Sequence, residues 1–248
     1  MLRTRELTKR FGAHAAVDGV DLEIRRGTLH AIIGPNGAGK TTLFNLLSGE
    51  LRPSAGTIAF ADRDVTRLDA TSRSHLGMGR SFQRTNVFPK LTVFENVRLA
   101  AQSRTGESFA LWRSAEALAE VNERAERVLD EFGLLGYRAQ LASELAGGDQ
   151  RLLELAITLA TDPTLLLLDE PSQGLSPQDA RRLIDRIGTL AQRYTIVLIE
   201  HNMPLVMRLA EEITVMNFGR ILAHGTPEEI RANPAVRAAY LGTRPVSS

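Results

Sequence analysis

The sequence predicts an α/β fold built on a mostly parallel sheet, and three observations carry that prediction. Short, nearly unbroken apolar runs at 29–33 (LHAII), 165–168 (LLLL) and 195–199 (TIVLI) read as strands buried on both faces, as central parallel strands are. Stretches with helical apolar spacing separate these runs, an alternation that argues for a layered α/β sheet and against a bundle or sandwich. A glycine-rich turn joins the first run to a helical pattern at 41–48 (TTLFNLLS), giving a strand, a turn and a helix.

Local signals set the ends of several elements. Gly49 follows the helix at 41–48 and suits the left-handed position after a C-cap. Between Ser114 and Phe132, Ala115, Leu118, Val121, Ala125, Val128, Leu129 and Phe132 recur at helical spacing among charged side chains, so one face is apolar and the rest solvated. Gly106 before this helix and Gly133 and Gly136 after it mark an inserted arm; a polar surface helix and a docking role fit it equally. Ser176 followed by Pro177 reads as an N-cap with proline at the first helical position, opening a helix to about Gln192. Thr226, Pro227 and Glu229 form a capping-box pattern, and Asn233 with Pro234 starts a further short helix.

Composition excludes several classes. At 248 residues the chain allows one large domain or two small ones and can bury a core without staples. It has no cysteine, which removes disulfide frameworks, thiolate zinc sites and thiol nucleophiles. With 30 basic and 29 acidic residues and no long basic stripe, it shows no nucleic-acid footprint. No stretch reaches the run of about 18 apolar residues that a membrane span needs, since the richest ends at once in Asp169 and Glu170. Arg3, Arg5, Lys9 and Arg10 are not followed by an apolar run of roughly 7 to 15 residues, so no secretory leader is expected. A link to a membrane is therefore expected to run through a partner.

The turn after 29–33 carries chemistry. Gly34, Pro35, Asn36, Gly37, Ala38, Gly39, Lys40 and Thr41 fit G-x-x-x-x-G-K-[ST], between a buried strand and a helix as the mechanism requires. Glycines let backbone N–H groups approach phosphate oxygens closely, and the helix N-terminus adds partial positive charge. Lys40 is placed to reach the β and γ phosphates and the Thr41 hydroxyl to ligate Mg²⁺. The leucines at 165–168 deliver Asp169 and Glu170 to the C-terminal edge of the sheet, where open α/β folds bind ligands. Asp169 is assigned to Mg²⁺, through water, and Glu170 to orienting or deprotonating the attacking water. The N-K-x-D motif of a guanine reader is absent.

The segment Glu144-Leu145-Ala146-Gly147-Gly148-Asp149-Gln150 runs into a helix and ends 19 residues before Asp169. Here the sequence resembles the ATP-binding cassette (ABC) family, whose L-S-G-G-Q signature presents glycine amides and a helix N-terminus to the γ phosphate held by the other subunit. Phe11 stands where the family places an aromatic that stacks on adenine. Gln83 matches its Q-loop glutamine and His201 its switch histidine. Taken singly, Phe11 reads equally as a core aromatic, Gln83 as a surface amide and His201 as a satisfied strand-end histidine; order and spacing make the set specific.

Three positions depart from the family pattern. Ala146 replaces the signature serine and removes one hydroxyl donor, worth about 1.5 to 3 kcal/mol when directed at a charged group. Asp149 stands where glutamine is usual, and Ser176 replaces the aspartate of the D-loop while capping the next helix. With these departures, GMGRSFQRTNVFPKLTVFENV, EPSQGLSP, IEHNMPLVM and HGTPEEIRANPAVRAAYLG resemble the ATPase subunits of branched-chain, or hydrophobic, amino acid importers, over about residues 2 to 242.

The resemblance implies a single nucleotide-binding domain over 1–248. Its P-loop core, at 1–94 and 161–248, combines a mostly parallel sheet with an antiparallel β subsheet, and a helical subdomain is inserted at about 95–160. It implies ATP and Mg²⁺ as ligands: Phe11 on the base, residues 34 to 42 including Thr42 on the phosphates, Thr41, Gln83 and Asp169 around Mg²⁺, and Ala146, Gly147, Gly148 and Asp149 facing the partner's nucleotide. Glu170, His201 and Gln83 would carry catalysis. It implies a homo- or heterodimer of cassettes beneath two integral membrane permease subunits, an extracytoplasmic binding protein acting indirectly, and a place on the cytoplasmic face of the inner membrane. A shallow hydrophobic groove for the membrane subunit is expected around Phe88, Pro89, Leu91, Val93 and Phe94. A soluble ABC ATPase acting on ribosomes or DNA, and a degenerate binding-only cassette, are the alternatives. The transported solute cannot be read from an ATPase subunit.

Overall fold

The computed structural model describes residues 1–81, 87–103 and 115–241; Gln83, Gly106 and Ser114 lie outside the described residues. The chain opens with a hairpin of β1 (Leu2–Phe11) and β2 (His14–Ile24), then β3 (Leu29–Ile33), α1 (Lys40–Ser48), β4 (Ala55–Phe60) and β5 (Arg63–Asp64). Next come α2 (Ala70–His75), β6 (Met78–Arg80), α3 (Val93–Ser103), α4 (Ala115–Glu131) and α5 (Gly147–Ala160). The remainder is β7 (Leu165–Asp169), α6 (Pro177–Ala191), β8 (Thr195–Ile199), α7 (Met203–Leu209), β9 (Glu212–Asn217), β10 (Arg220–Gly225), α8 (Pro227–Ala232) and α9 (Pro234–Leu241).

The larger sheet has the order β10-β9-β3-β8-β7-β6 and is parallel except at the β9–β10 edge. Every residue of β3, β7 and β8 is buried, as their apolar runs predict. Alternation along these strands feeds two cores. Ile32, Leu165, Leu167, Val197 and Ile199 point towards α1, whose Leu43, Phe44, Leu46 and Leu47 pack on them. Ala31, Ile33, Leu166, Leu168 and Leu198 point the other way, towards α5 and α6.

The second sheet, β2-β1-β4-β5, is antiparallel and closes over the far side of α1 through Leu2, Leu7, Ile24 and Ile58. Thus α1 lies between two sheets, and its N-terminus projects at the C-terminal edge of β3.

Helices α3, α4 and α5 pack on one another. Val121, Ala125, Val128 and Leu129 of α4 and Phe132 just after it are buried against them, as helical spacing predicts, whereas Leu118, one turn nearer the helix start, stays exposed because nothing packs over it. Asn96 of α3 ties down the preceding segment, accepting from the Phe88 amide (2.8 Å) and donating to the Thr92 carbonyl (2.9 Å).

The terminal signals behave as their chemistry requires. Gly49 ends α1 in the left-handed region (φ 87°). Ser176 caps α6 by accepting from the Asp179 amide, and Thr226 with Glu229 closes both halves of its box on α8. One tie is not announced by any local pattern. The buried guanidinium of Arg73 donates to the carbonyls of Leu46 and Leu47 (2.7 Å each), Val65 (2.8 Å) and Leu68 (3.1 Å). It fastens the C-terminal turn of α1, where carbonyls lack intrahelical partners and the helix dipole favours a cation.

Candidate active site

The turn from Gly34 to Gly39 is shaped by close backbone approach. A Cβ on Gly34 would fall 2.3 Å from the Met216 carbonyl oxygen, and one on Gly39, at φ 97°, would fall 2.3 Å from that of Ala16. Only glycine fits at either point. Ala38 donates to the Pro35 carbonyl (3.2 Å) and its own carbonyl accepts from Gly219 (3.0 Å), so the β9–β10 turn braces the loop from beneath. Lys40 is buried at the start of α1 and donates to the carbonyls of Gly34 (2.8 Å) and Pro35 (3.1 Å). Burial lowers its pKa, while the Glu170 and Asp169 carboxylates pull the other way.

Among the helices whose N-caps lie in the described residues, capping separates two N-termini from the rest. Asp69, Ser176, Asn202 and Thr226 each accept from a first-turn amide of α2, α6, α7 and α8. Thr92 does the same for α3 and Asn233 for α9. Gly39 and Ala146, the N-caps of α1 and α5, supply no side-chain oxygen. The amides of those two first turns are therefore open to an external anion, with the helix dipole adding to the attraction. They belong to the glycine-rich loop and to the signature segment.

Two strand ends bring the acidic and imidazole groups together. Asp169, the last residue of β7, is 2% exposed, and neither carboxylate oxygen has a hydrogen-bond partner among the described residues. Burial and the neighbouring Glu170 raise its pKa to about 6, against the opposing pull of Arg80 and Lys40. A buried carboxylate without a donor is suited to a cation, so this position fits a divalent metal such as Mg²⁺. Glu170 stands in the left-handed region at φ 45°, a conformation costly for a residue with a side chain, and its amide donates to the Ile199 carbonyl (2.9 Å) across to β8. His201 follows β8, with Nδ1 at 3.8 Å from Glu170 Oε1.

Glu200 is the residue that local reasoning passes over. It is fully buried, accepts from the Ser172 hydroxyl (2.6 Å) and the His201 amide (3.1 Å), and so ties the turn after Glu170 to the base of His201. Its one sequence signal is a carboxylate ending an otherwise apolar strand.

Phe11 is not a core aromatic: it is 51% exposed, with the Lys9 ammonium 5.2 Å from its ring centroid. It ends β1 opposite His14, and the β2 backbone at Ala16 abuts Gly39. At the other helix start, Asp149 in the first turn of α5 pairs with Arg182 of α6 (3.0 Å), and Ser176 donates to Asp179 (2.7 Å). Arg151 of α5 donates to the Pro171 carbonyl (3.0 Å), joining this helix to the turn after Glu170. Among the described residues, no hydrogen bond or ion pair joins residues 146–149 to residues 34–42 of the same chain. The structure therefore brings Lys40, Asp169, Glu170 and His201 into one cluster and leaves the Ala146 helix start apart.

Val93 is buried, and a cleft of about 520 Å³ opens beside Phe88, lined also by Val87, Gly79, Glu154, Ile157 and Leu167. Of the five residues expected to form a groove, Phe88 alone lines this cleft and is exposed; Val93 is turned into the core, and Pro89, Leu91 and Phe94 do not line it.

Comparison with known proteins agrees with this geometry. The ABC transporter family model matches residues 17–173, and the model for the branched-chain amino acid ATP-binding cassette transporter matches 220–245. The high-affinity branched-chain amino acid transport ATP-binding protein LivG of Salmonella typhimurium is 43% identical, over 98% of both chains. The protein of the same description named BraF, from Pseudomonas aeruginosa, is 39% identical over 98% of both. Among solved structures, the ADP conformation of an ATP-binding cassette of an ABC transporter superposes with a TM-score of 0.85 at 29% identity, covering 98% of each chain. On its sequence, its fold and the cluster at the end of its central strands, the chain belongs to the ABC transporter family, as an ATP-hydrolysing ATP-binding cassette.

Proposed function

We propose that this chain is the motor of an importer for branched-chain amino acids or related small solutes, working at the cytoplasmic face of the inner membrane. The observation that carries the reading is the pair of helix N-termini, at Gly39 and Ala146, left uncapped on separate parts of one chain. One is suited to the phosphates of its own nucleotide and the other to those bound by an opposing cassette, as in a head-to-tail dimer. The similarity to LivG and BraF supports the solute class, and favours an importer over an ATPase acting on ribosomes or DNA.

In this reading Phe11 stacks on the base, and residues 34 to 42 hold the phosphates. Thr41, Asp169 and Gln83 would hold Mg²⁺, which when bound offsets the charge of the phosphate oxygens. Glu170 orients or deprotonates the attacking water, and His201, held by Glu200, meets the charge that develops on the γ phosphate. Residues 146–149 perform the second contact from across the dimer. Helices within about 95–160 form a subdomain that moves against the core segments 1–94 and 161–248. The cleft beside Phe88 is suited to a helix of one of two permease subunits, and Gln83 is placed in sequence to couple that contact to the site.

Purification from mild-detergent membranes, followed by identification of bound proteins, tests the assembly. A second cassette and two permease chains should co-purify, and uptake of leucine into cells should be lost in Glu170→Gln. Co-fractionation with ribosomes instead of membranes would overturn the reading.

A further inference from the structure

The start of α5, read as the contact for an opposing nucleotide, carries charge of the wrong sign for that task. Asp149 lies in its first turn. Asp179, in the first turn of α6, presses on the same place, since a Cβ on Gly148 would fall 2.4 Å from Asp179 Cγ. A carboxylate in a first turn suits its own helix, because it meets the positive end of the dipole. It opposes a second anion at that end: the dipole supplies roughly half a unit of positive charge, and two carboxylates outweigh it.

Arg182 of α6 answers both carboxylates. Its Nη2 donates to Asp149 Oδ1 (3.0 Å), and its Nη1 lies 3.7 Å from Asp179 Oδ1. Among the described residues no other cation pairs with either group. Asp179 is oriented for this role, because its second oxygen accepts from the Ser176 hydroxyl (2.7 Å) that also caps α6. The Asp149 side chain is mostly buried, so water screens its charge poorly, whereas Arg182 is half exposed. Arg151, the next cation along α5, is engaged by the Pro171 carbonyl (3.0 Å) and by Glu154 (2.6 Å).

We propose that Arg182 is a positioning residue for ATP-driven pairing of cassettes: by neutralising Asp149 and Asp179 it keeps the start of α5 receptive to the phosphates of an opposing nucleotide, and it fixes that start against α6. The inference rests on the reading of residues 146–149 as the second nucleotide contact. It also gives a physical reason why aspartate is tolerated at 149, where glutamine is usual. A neutral amide there needs no counter-charge, whereas a carboxylate does, and α6 supplies it from the helix that Ser176 caps.

The test is the concentration of Mg²⁺–ATP that gives half-maximal association of the full chain, carrying Glu170→Gln, with itself or with the cassette that co-purifies with it, followed by sedimentation. Arg182→Gln should raise that concentration roughly tenfold at low ionic strength and by less in high salt. Arg182→Lys, which keeps the charge, should restore most of the loss. Asp149→Gln should lower the midpoint, and Arg182→Gln added to it should cost clearly less than it does alone, because one of the charges it serves has gone. A midpoint unmoved by Arg182→Gln would overturn the inference. So would a rise in Asp149→Gln equal to that in Arg182→Gln, with no further change in the double variant, which is the pattern of a plain strap between α5 and α6. If the Glu170→Gln chain associates with neither partner on adding ATP, the dimer reading itself fails and the role of Arg182 with it.

Discussion

His201 Nδ1 lies 3.8 Å from Glu170 Oε1, and the two residues are held in that relation by backbone, since the Glu170 amide is bonded to the carbonyl of Ile199 two residues before His201. In the proposed mechanism the pair is a base and its polar partner at adjacent strand ends. Glu170→Gln keeps the shape and removes the base, so kcat for ATP hydrolysis should fall on the order of 10²-fold or more, while ATP affinity stays near wild type. A steady-state assay beside a binding titration checks both halves, and near-normal turnover would reject Glu170 as the base.

Asp169 predicts a pH dependence with a definite sign. Its folded pKa, about 6, lies above the ordinary 3.8, so the folded nucleotide-free chain holds a proton that the unfolded chain has released between those values. Ionisation of this group therefore lowers stability as pH rises from about 4 to 6, and the full cost, on the order of 2–3 kcal/mol, is present above 6. Asp169→Asn should raise the urea midpoint at pH 7 and lose that advantage near pH 4. An equal gain at both pH values would contradict the assigned cause.

Arg73 is the stability prediction. Arg73→Met preserves much of the volume but leaves the carbonyls of Leu46, Leu47 and Val65 without their buried donor. Each buried carbonyl left without its donor costs about 1–3 kcal/mol, so the loss should be at least of that order. Denaturant unfolding measures it, and a change below about 1 kcal/mol would show that water or another donor takes over.

Asp149 joins α5 to α6 through Arg182, whose side chain is half exposed. Asp149→Gln restores the usual signature residue but removes this ion pair and a negative charge at a helix N-terminus. The expected loss of stability is below about 1 kcal/mol and should vanish in high salt. Melting curves at low and high ionic strength distinguish this from a packing defect, which salt would not erase.

What could be read from the chain was whatever depends on near neighbours. The buried strands β3, β7 and β8 declare themselves by composition, and Ser176 and Thr226 by their caps. The antiparallel sheet is hard to read because β1 alternates poorly: its pairing shifts register between Thr4 and Leu7 and again before Arg10, so no simple period survives. The site shows the same division. Gly34 to Thr41 form one continuous motif, whereas Glu200 acts on Ser172, a partner far away along the chain. Arg73 likewise looks like any surface cation until the end of α1 is laid against it.

The two uncapped helix starts also set a count. Among the described residues the chain offers two such ends, and in the proposed head-to-tail dimer one triphosphate tail would satisfy one end from each chain. On that reading the arrangement would close without remainder at two chains and two tails. A lone chain with one tail leaves an end unfilled, so affinity for the second tail and affinity between chains should be inseparable quantities.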